Sequence, residues 1–133
     1  MCGIFGISAR KHVKEDHLDF LALHAQQRGK DSSGLVVYRK GKYNIYRADF
    51  SIQRLVNIVD QSDAPLIMGH SRLITNGLFD NQPVVRNHVI VLHNGIIVND
   101  EQVWKETNLD RKLEIDTEII AAITEKMADE GAD

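Results

Sequence analysis

The feature that most constrains this chain is its series of short, β-rich apolar runs with too few helices between them for strict βαβ alternation. "CGIFGIS" (2–8), "APLIMGHSR" (64–72) and "HVIVLHNGIIV" (88–98) read as buried strands, and Asn94-Gly95 interrupts the last. "GLVVYRKGKYNIYR" (34–47) is two such runs around a Lys-Gly turn, which predicts a hairpin. Helical spacing is confined to four places. Leu18, Phe20, Leu21 and Ala25 follow Asp16 as N-cap and end at Gly29 as the residue after the helix. Ile52, Leu55, Val56 and Val59 follow Ser51. "NDEQVWKET" and "DTEIIAAITEKMAD" supply the other two, the last with acidic residues where a helix dipole favours them. Strands joined mostly by turns predict antiparallel or mixed sheets packed with helices, an α/β (α+β) class and not a doubly wound parallel sheet.

At 133 residues the chain is one domain, without repeats or internal linkers. Such a domain buries about two-thirds of the surface that its unfolded form exposes. Its net charge is −3 and its densest basic run, "RKGKY", lies on the turn, so nucleic acid is not an expected partner. One cysteine rules out an intrachain disulfide framework and a Cys-based zinc site, and fits a reducing cytoplasm. No apolar stretch approaches the roughly 18 to 20 residues of a membrane span, and the start lacks the layout of a signal peptide. The expectation is a cytoplasmic protein with no membrane partner.

Polar groups cluster where the strands end. Cys2 with Gly3, "QQRGKDSSG" (26–34), "GHSRLITNG" (69–77), and "HNG" (93–95) together with Asp116 are the stretches that carry them. Each alone has an ordinary explanation. Asn-Gly is a common turn, Arg72 could serve a surface ion pair, and Asp116 before "TEII" could be an N-cap. Together they suit a particular chemistry. A cysteine made N-terminal by loss of Met1 carries its own base, an α-amine with a pKa near 8 beside a thiol near 8.5. That amine can take the thiol proton and return it to a leaving amine. An Asn side chain and the next Gly N–H can hold the oxyanion, an Arg fork a carboxylate, and an Asp an ammonium.

In this order the stretches resemble the glutaminase domain of the class II, N-terminal-nucleophile glutamine amidotransferases, a group that includes glucosamine-6-phosphate synthase and glutamine phosphoribosylpyrophosphate amidotransferase. "MCGIFG" matches the family start. "QQRGKDSSG" is similar to its RG-x-DS-x-G segment, "GHSRLITNG" to its GH-T-R-x-x-T-x-G loop, "NQPVV…VIVLHNGIIVN" to its N-x-x-P…VHNGIIEN stretch, and "EIDTEIIAAI" to its SDTEVI helix start. Leu73 and Asn76 depart from the glucosamine-6-phosphate synthase pattern, which has an aromatic and a histidine there.

The resemblance implies that Cys2 is the nucleophile and its α-amine the base, with Asn94 and Gly95 as the oxyanion hole. It assigns Arg72, with Thr75 and Asn76 in the same loop, to the glutamine α-carboxylate side, and Asp116 to the α-ammonium. The implied reaction is hydrolysis of L-glutamine to glutamate and ammonia through a γ-glutamyl thioester. No cofactor and no metal are implied, and the ammonia passes to a synthase domain or subunit. The implied fold is a four-layer αββα sandwich of mostly antiparallel sheets. Residues 1–133 would be the N-terminal portion of that domain, incomplete at the C-terminus, and the open edges predict a partner chain or a homo-oligomer. Two alternatives stand beside this reading: a non-catalytic glutamine-binding or protein-interaction module of the same descent, and another cysteine hydrolase in which His70 or His93 serves Cys2. Otherwise His70 and His93 are structural residues at strand ends, Trp104 anchors its helix to the core, and Tyr38, Tyr43 and Tyr46 pair across the hairpin.

Overall fold

Strand β2 (Ser32–Arg39) is buried on both faces over its first six residues, which makes it the centre around which the layers are laid. It pairs antiparallel on one side with β3 (Lys42–Ala48) and on the other with β4 (Leu66–Arg72), and β4 pairs antiparallel with β1 (Gly3–Ser8). The sheet order is β1-β4-β2-β3, all antiparallel, as the scarcity of crossover helices requires. The computed structural model describes residues 2–73 and 81–131.

The β2–β3 hairpin turns through Lys40 and Gly41, both with positive φ (50° and 77°). That is the geometry of a two-residue hairpin turn whose twist matches its strands. Tyr38 and Tyr43 are direct cross-strand partners, their rings 4.6 Å apart, whereas Tyr46 sits opposite Leu35 and joins the other face.

Helices α1 (Glu15–Gln26) and α2 (Ile52–Ile58) cover one face. Leu18, Ala22, Leu35, Val37, Ile52, Val56 and Ile67 are all but fully buried in this layer. Each of these leucine, valine and isoleucine side chains is worth about 1.5–3 kcal/mol of burial. Ser51 caps α2 as expected, accepting from Arg54 N at 3.4 Å. At α1 the expectation fails: the helix begins at Glu15 behind Lys14, and Asp16 lies in its first turn, accepting from His17 N. Gly29 is not a left-handed terminator either. A Cβ there would overlap the Arg72–Leu73 peptide, so this glycine serves a close approach to the end of β4. "CGIFGIS" is an edge strand, not a buried one, with Ile4 47% exposed, because only β4 flanks it and only one face meets a helix.

A second unit lies on the opposite face of the sheet. It comprises a two-stranded antiparallel ribbon, β5 (Val84–Arg86) with β6 (Val89–Val91), and helices α3 (Asp100–Thr107) and α4 (Thr117–Asp129). The layers touch where a side chain is missing. A Cβ on Gly34 would overlap the Gln82 carbonyl and the Pro83 ring. Arg47 donates to Pro83 O (2.8 Å), and Asn81 Nδ2 donates to Ser33 O (3.0 Å) and Ala48 O (3.2 Å). Of the buried strand expected over 88–98 and interrupted at Asn94-Gly95, only Val89–Val91 is present; beyond it Ile96 and Val98 are 84% and 91% exposed. Trp104 does anchor α3, packing with Ile119 and Ala122 of α4. Among the described residues no helix is long and apolar enough to cross a membrane.

Candidate active site

The β1–β4 register is the first element of the site. Gly3 lies opposite Ser71, so the next step of the ladder sets Cys2 at the level of Arg72, at the same end of the sheet. Alternation then turns Cys2, Arg72 and Ser32, the β2 partner of Arg72, toward the face that meets the second unit. Gly3 lies beneath the last turn of α1, where its missing side chain leaves room for the Ala25 carbonyl. Cys2 is partly exposed, free of any disulfide. The turn after α1 is tied to the same end: Asp31 N donates to Arg72 O (3.1 Å) and Ser71 Oγ to Gly29 O. The "QQRGKDSSG" and "GHSR" stretches are thereby fastened to each other.

His70, two residues before Arg72 on the same face, is fully buried and lies against the His93 backbone. Neither ring nitrogen makes a hydrogen bond among the described residues. Burial, reinforced by the Arg72 charge, lowers its pKa to about 4, so the ring is neutral at physiological pH. It joins the end of β4 to the "HNG" stretch as a buried packing residue, without, among the described residues, the hydrogen-bonded ring that a satisfied structural histidine would have.

Asn94 and Gly95 follow β6 in irregular, exposed backbone, outside any sheet ladder. Two side chains hold the segment. The Gln82 amide pairs with the His93 backbone in both directions: His93 N donates to Oε1 (2.6 Å), and Nε2 donates to His93 O (3.0 Å). At the other end Ile97 N donates to Asp116 Oδ2 at 2.7 Å. Asp116 stands at the start of α4 but its side chain caps nothing; its carboxylate is turned across to the segment after Gly95. Thr117, fully buried, links the two holders, with its hydroxyl 3.2 Å from Gln82 Nε2 and 3.4 Å from Asp116 Oδ1.

The residues before Asp116 are held by buried charge. Glu118 is fully buried and accepts from Lys112 N, Leu113 N and Arg86, the last at 2.8 Å. Arg86 also pairs with Glu125 (2.9 Å) and donates to Asp110 O (2.8 Å). Burial alone would lower the Arg86 pKa, yet the Glu125 and Glu118 carboxylates raise it, while Arg86 holds Glu125 below the usual carboxylate range.

Of the residues singled out from sequence, Cys2 and Arg72 share one end of the sheet, and Asn94, Gly95 and Asp116 share the facing segment. Thr75 and Asn76 lie outside the described residues. Sequence reasoning passed over Gln82, Thr117 and Glu118. "NQPV" and "DTE" were both noticed as stretches, but nothing local marks Gln82 as a backbone clamp.

No protein-family model matches the chain. Among curated proteins it is 31% identical over 139 residues to glutamine–fructose-6-phosphate aminotransferase (isomerizing) of Agrobacterium fabrum, covering 98% of this chain and 23% of that protein. With the protein of the same name from Bacillus anthracis the identity is 33% over 140 residues, covering 98% and 23%. With that of Zymomonas mobilis it is 31% over 142 residues, covering 100% and 23%. The chain thus spans 23% of the length of these curated relatives. Among solved structures it superposes on glutamine phosphoribosylpyrophosphate amidotransferase from B. subtilis, complexed with ADP and GMP, with a TM-score of 0.68 and 24% identity. That match covers 91% of this chain and 28% of the other, and the likeness is one of fold.

Proposed function

This chain is a relative of the class II, N-terminal-nucleophile glutamine amidotransferases, and on that premise we propose that it is the glutaminase portion of such an enzyme, hydrolysing L-glutamine to glutamate and ammonia. The observation that supports this most is the convergence of stretches far apart in sequence. The β1–β4 register sets Cys2 level with Arg72, and His70 and Gln82 bring the "HNG" segment and Asp116 to the facing layer.

In this reading Met1 is removed and the α-amine of Cys2 takes the thiol proton. The sulfur attacks the glutamine δ-carbon, forming the C–S bond as the carbonyl π electrons move to oxygen. The Asn94 amide and the Gly95 N–H stabilise that oxyanion, a contribution of about 3–4 kcal/mol per donor in comparable sites. The proton held by the amine passes to the departing nitrogen and ammonia leaves, giving a γ-glutamyl thioester. Water, deprotonated by the same amine, then releases glutamate and restores the thiol. Arg72 holds the α-carboxylate, with Thr75 and Asn76 a few residues on in sequence assigned to the same group, and Asp116 holds the α-ammonium with the oxygen not used by Ile97.

Relatives named for fructose 6-phosphate and for phosphoribosyl pyrophosphate share the glutamine half, so only that half is carried over. The acceptor of the ammonia lies on another domain or chain. Glutamate release from glutamine, measured with the Cys2 amine free, tests the reading. Activity is expected to fall to background in Cys2→Ala, and Arg72→Ala is expected to raise the KM about 10- to 100-fold, the worth of a charge-assisted pair. Turnover unchanged in Cys2→Ala would sink the proposal.

A further inference from the structure

Oxyanion donors accelerate acyl transfer only when they are already aimed at the place where charge develops. The Asn94-Gly95 turn has no ladder to aim it, since β6 ends at Val91 and both residues are exposed. Its entry is clamped at the backbone by Gln82, from another stretch, while the His70 ring and the Thr117 hydroxyl also lie against His93. Gln82 is 4% exposed, and its amide engages the N–H and the C=O of His93, as a neighbouring strand would. Its Nε2 also reaches the buried Thr117 hydroxyl, next to Asp116, and its own carbonyl is seated against Gly34 in the floor of the large sheet. Gln82 therefore touches the floor beneath the site, the residue before the oxyanion donors, and the start of the helix that carries the ammonium holder.

We propose that Gln82 is a positioning residue for the oxyanion hole, setting the Asn94 amide and Gly95 N–H and keeping them in register with Asp116. The inference rests on the glutaminase reading. Glutamine and asparagine are the side chains with a primary amide, whose N–H and C=O can pair side by side with a backbone C=O and N–H, and asparagine is one methylene shorter. Glutamate keeps the acceptor for His93 N–H but loses the donor.

The test compares glutamine turnover with a reaction of the same thiol that develops no oxyanion, alkylation of Cys2 by iodoacetamide. In Gln82→Leu, kcat is expected to fall about 100-fold with KM within about twofold and the alkylation rate unchanged, on the scale of a lost oxyanion donor. Gln82→Glu is expected to fall about 10-fold, with the same pattern. Thermal melting is recorded for both; should Gln82→Leu not fold, the near-isosteric Gln82→Glu carries the comparison. Wild-type kcat in the folded variants overturns the proposal. So does a fall in kcat matched by an equal fall in alkylation or by a rise in KM, because that is damage to the whole site. A wild-type chain that makes no glutamate overturns the glutaminase reading, and this proposal with it; wild-type turnover indifferent to Gln82 overturns this proposal alone.

Discussion

The large sheet with α1 and α2 and the smaller unit of β5, β6, α3 and α4 are held together by different means. The first is an aliphatic interior: Leu18, Leu35, Val37, Ile52 and Ile67 are 0% exposed, and its polar bonds are mostly the ladders themselves. The second has short strands and small apolar clusters, and its fixed points are buried polar side chains bonding to backbone: Gln82, Thr117, Glu118 and Arg86. Apolar packing tolerates small shifts because it has no direction. A carboxylate taking two backbone N–H groups does not. The unit that presents Asn94, Gly95 and Asp116 is the one built from directional bonds, which suits a site whose geometry must not drift.

The largest effect that would break this contrast is at Arg86. Arg86→Leu leaves Glu118 buried beside Glu125 without its cation, and is expected to cost about 4 kcal/mol by urea unfolding. Replacing Arg86 and Glu118 together by leucine should recover only part of that loss, since the buried ion pair goes but Lys112 N, Leu113 N and Glu125 lose their partners. A single-mutant loss under about 1 kcal/mol would show that the second unit is not held by charge. In the first unit Leu35→Ala is expected to cost about 3 kcal/mol through the cavity it leaves. It should leave the KM for glutamine nearly unchanged, where a shift of tenfold would show that the layers are not separable in this way.

Acid probes the contact between the two units. His70 is neutral and buried in the fold, with a pKa of about 4 against 6.5 when exposed, so the unfolded chain binds the extra proton as pH falls below 6.5. Stability from this group is full above that pH and is lost progressively down to pH 4, a loss of about 2 kcal/mol between pH 7.5 and pH 5. His70→Leu should flatten that part of the pH–stability curve; an unaltered slope would place the acid sensitivity elsewhere. The smallest expected effect is at Ser51, where loss of the α2 cap in Ser51→Ala should lower stability by about 1 kcal/mol and leave kcat untouched.

What could be read from sequence follows the same division. The hairpin through Lys40-Gly41, the strand ending at Arg72, the Ser51 cap and the helix after Asp116 each announce themselves within a few residues, and all four are present. The antiparallel order follows from the shortage of helices. Relations between distant segments were less legible. Gly29 looked like a helix terminator because its partners, Arg72 and Leu73, lie more than forty positions away. The apolar residues beyond Asn94-Gly95 looked like a continuation of the strand because periodicity cannot tell Ile96 and Val98, which are exposed, from Val89 and Val91, which pack on α4. Asp116 was read both as a cap and as a ligand holder; it faces Ile97, not its own helix. At the candidate site, the described residues chosen for their chemistry, Cys2, Arg72, Asn94, Gly95 and Asp116, lie on facing elements, and those that only hold others in place, Gln82 above all, went unassigned.

Gly3 has a consequence for how the chain finds its own beginning. The first residues of a polypeptide ordinarily fray, and a terminal strand pairing along one edge is free to slip. Here a side chain at position 3 would collide with the Ala25 carbonyl, so the chain seats only where a residue without one comes to rest under α1. Slipping by one would thrust Cys2 or Ile4 into that space and invert the facing of every side chain along the strand. A missing methyl group thus acts as an index mark, measuring the distance from helix to terminus and locating the thiol to within one residue.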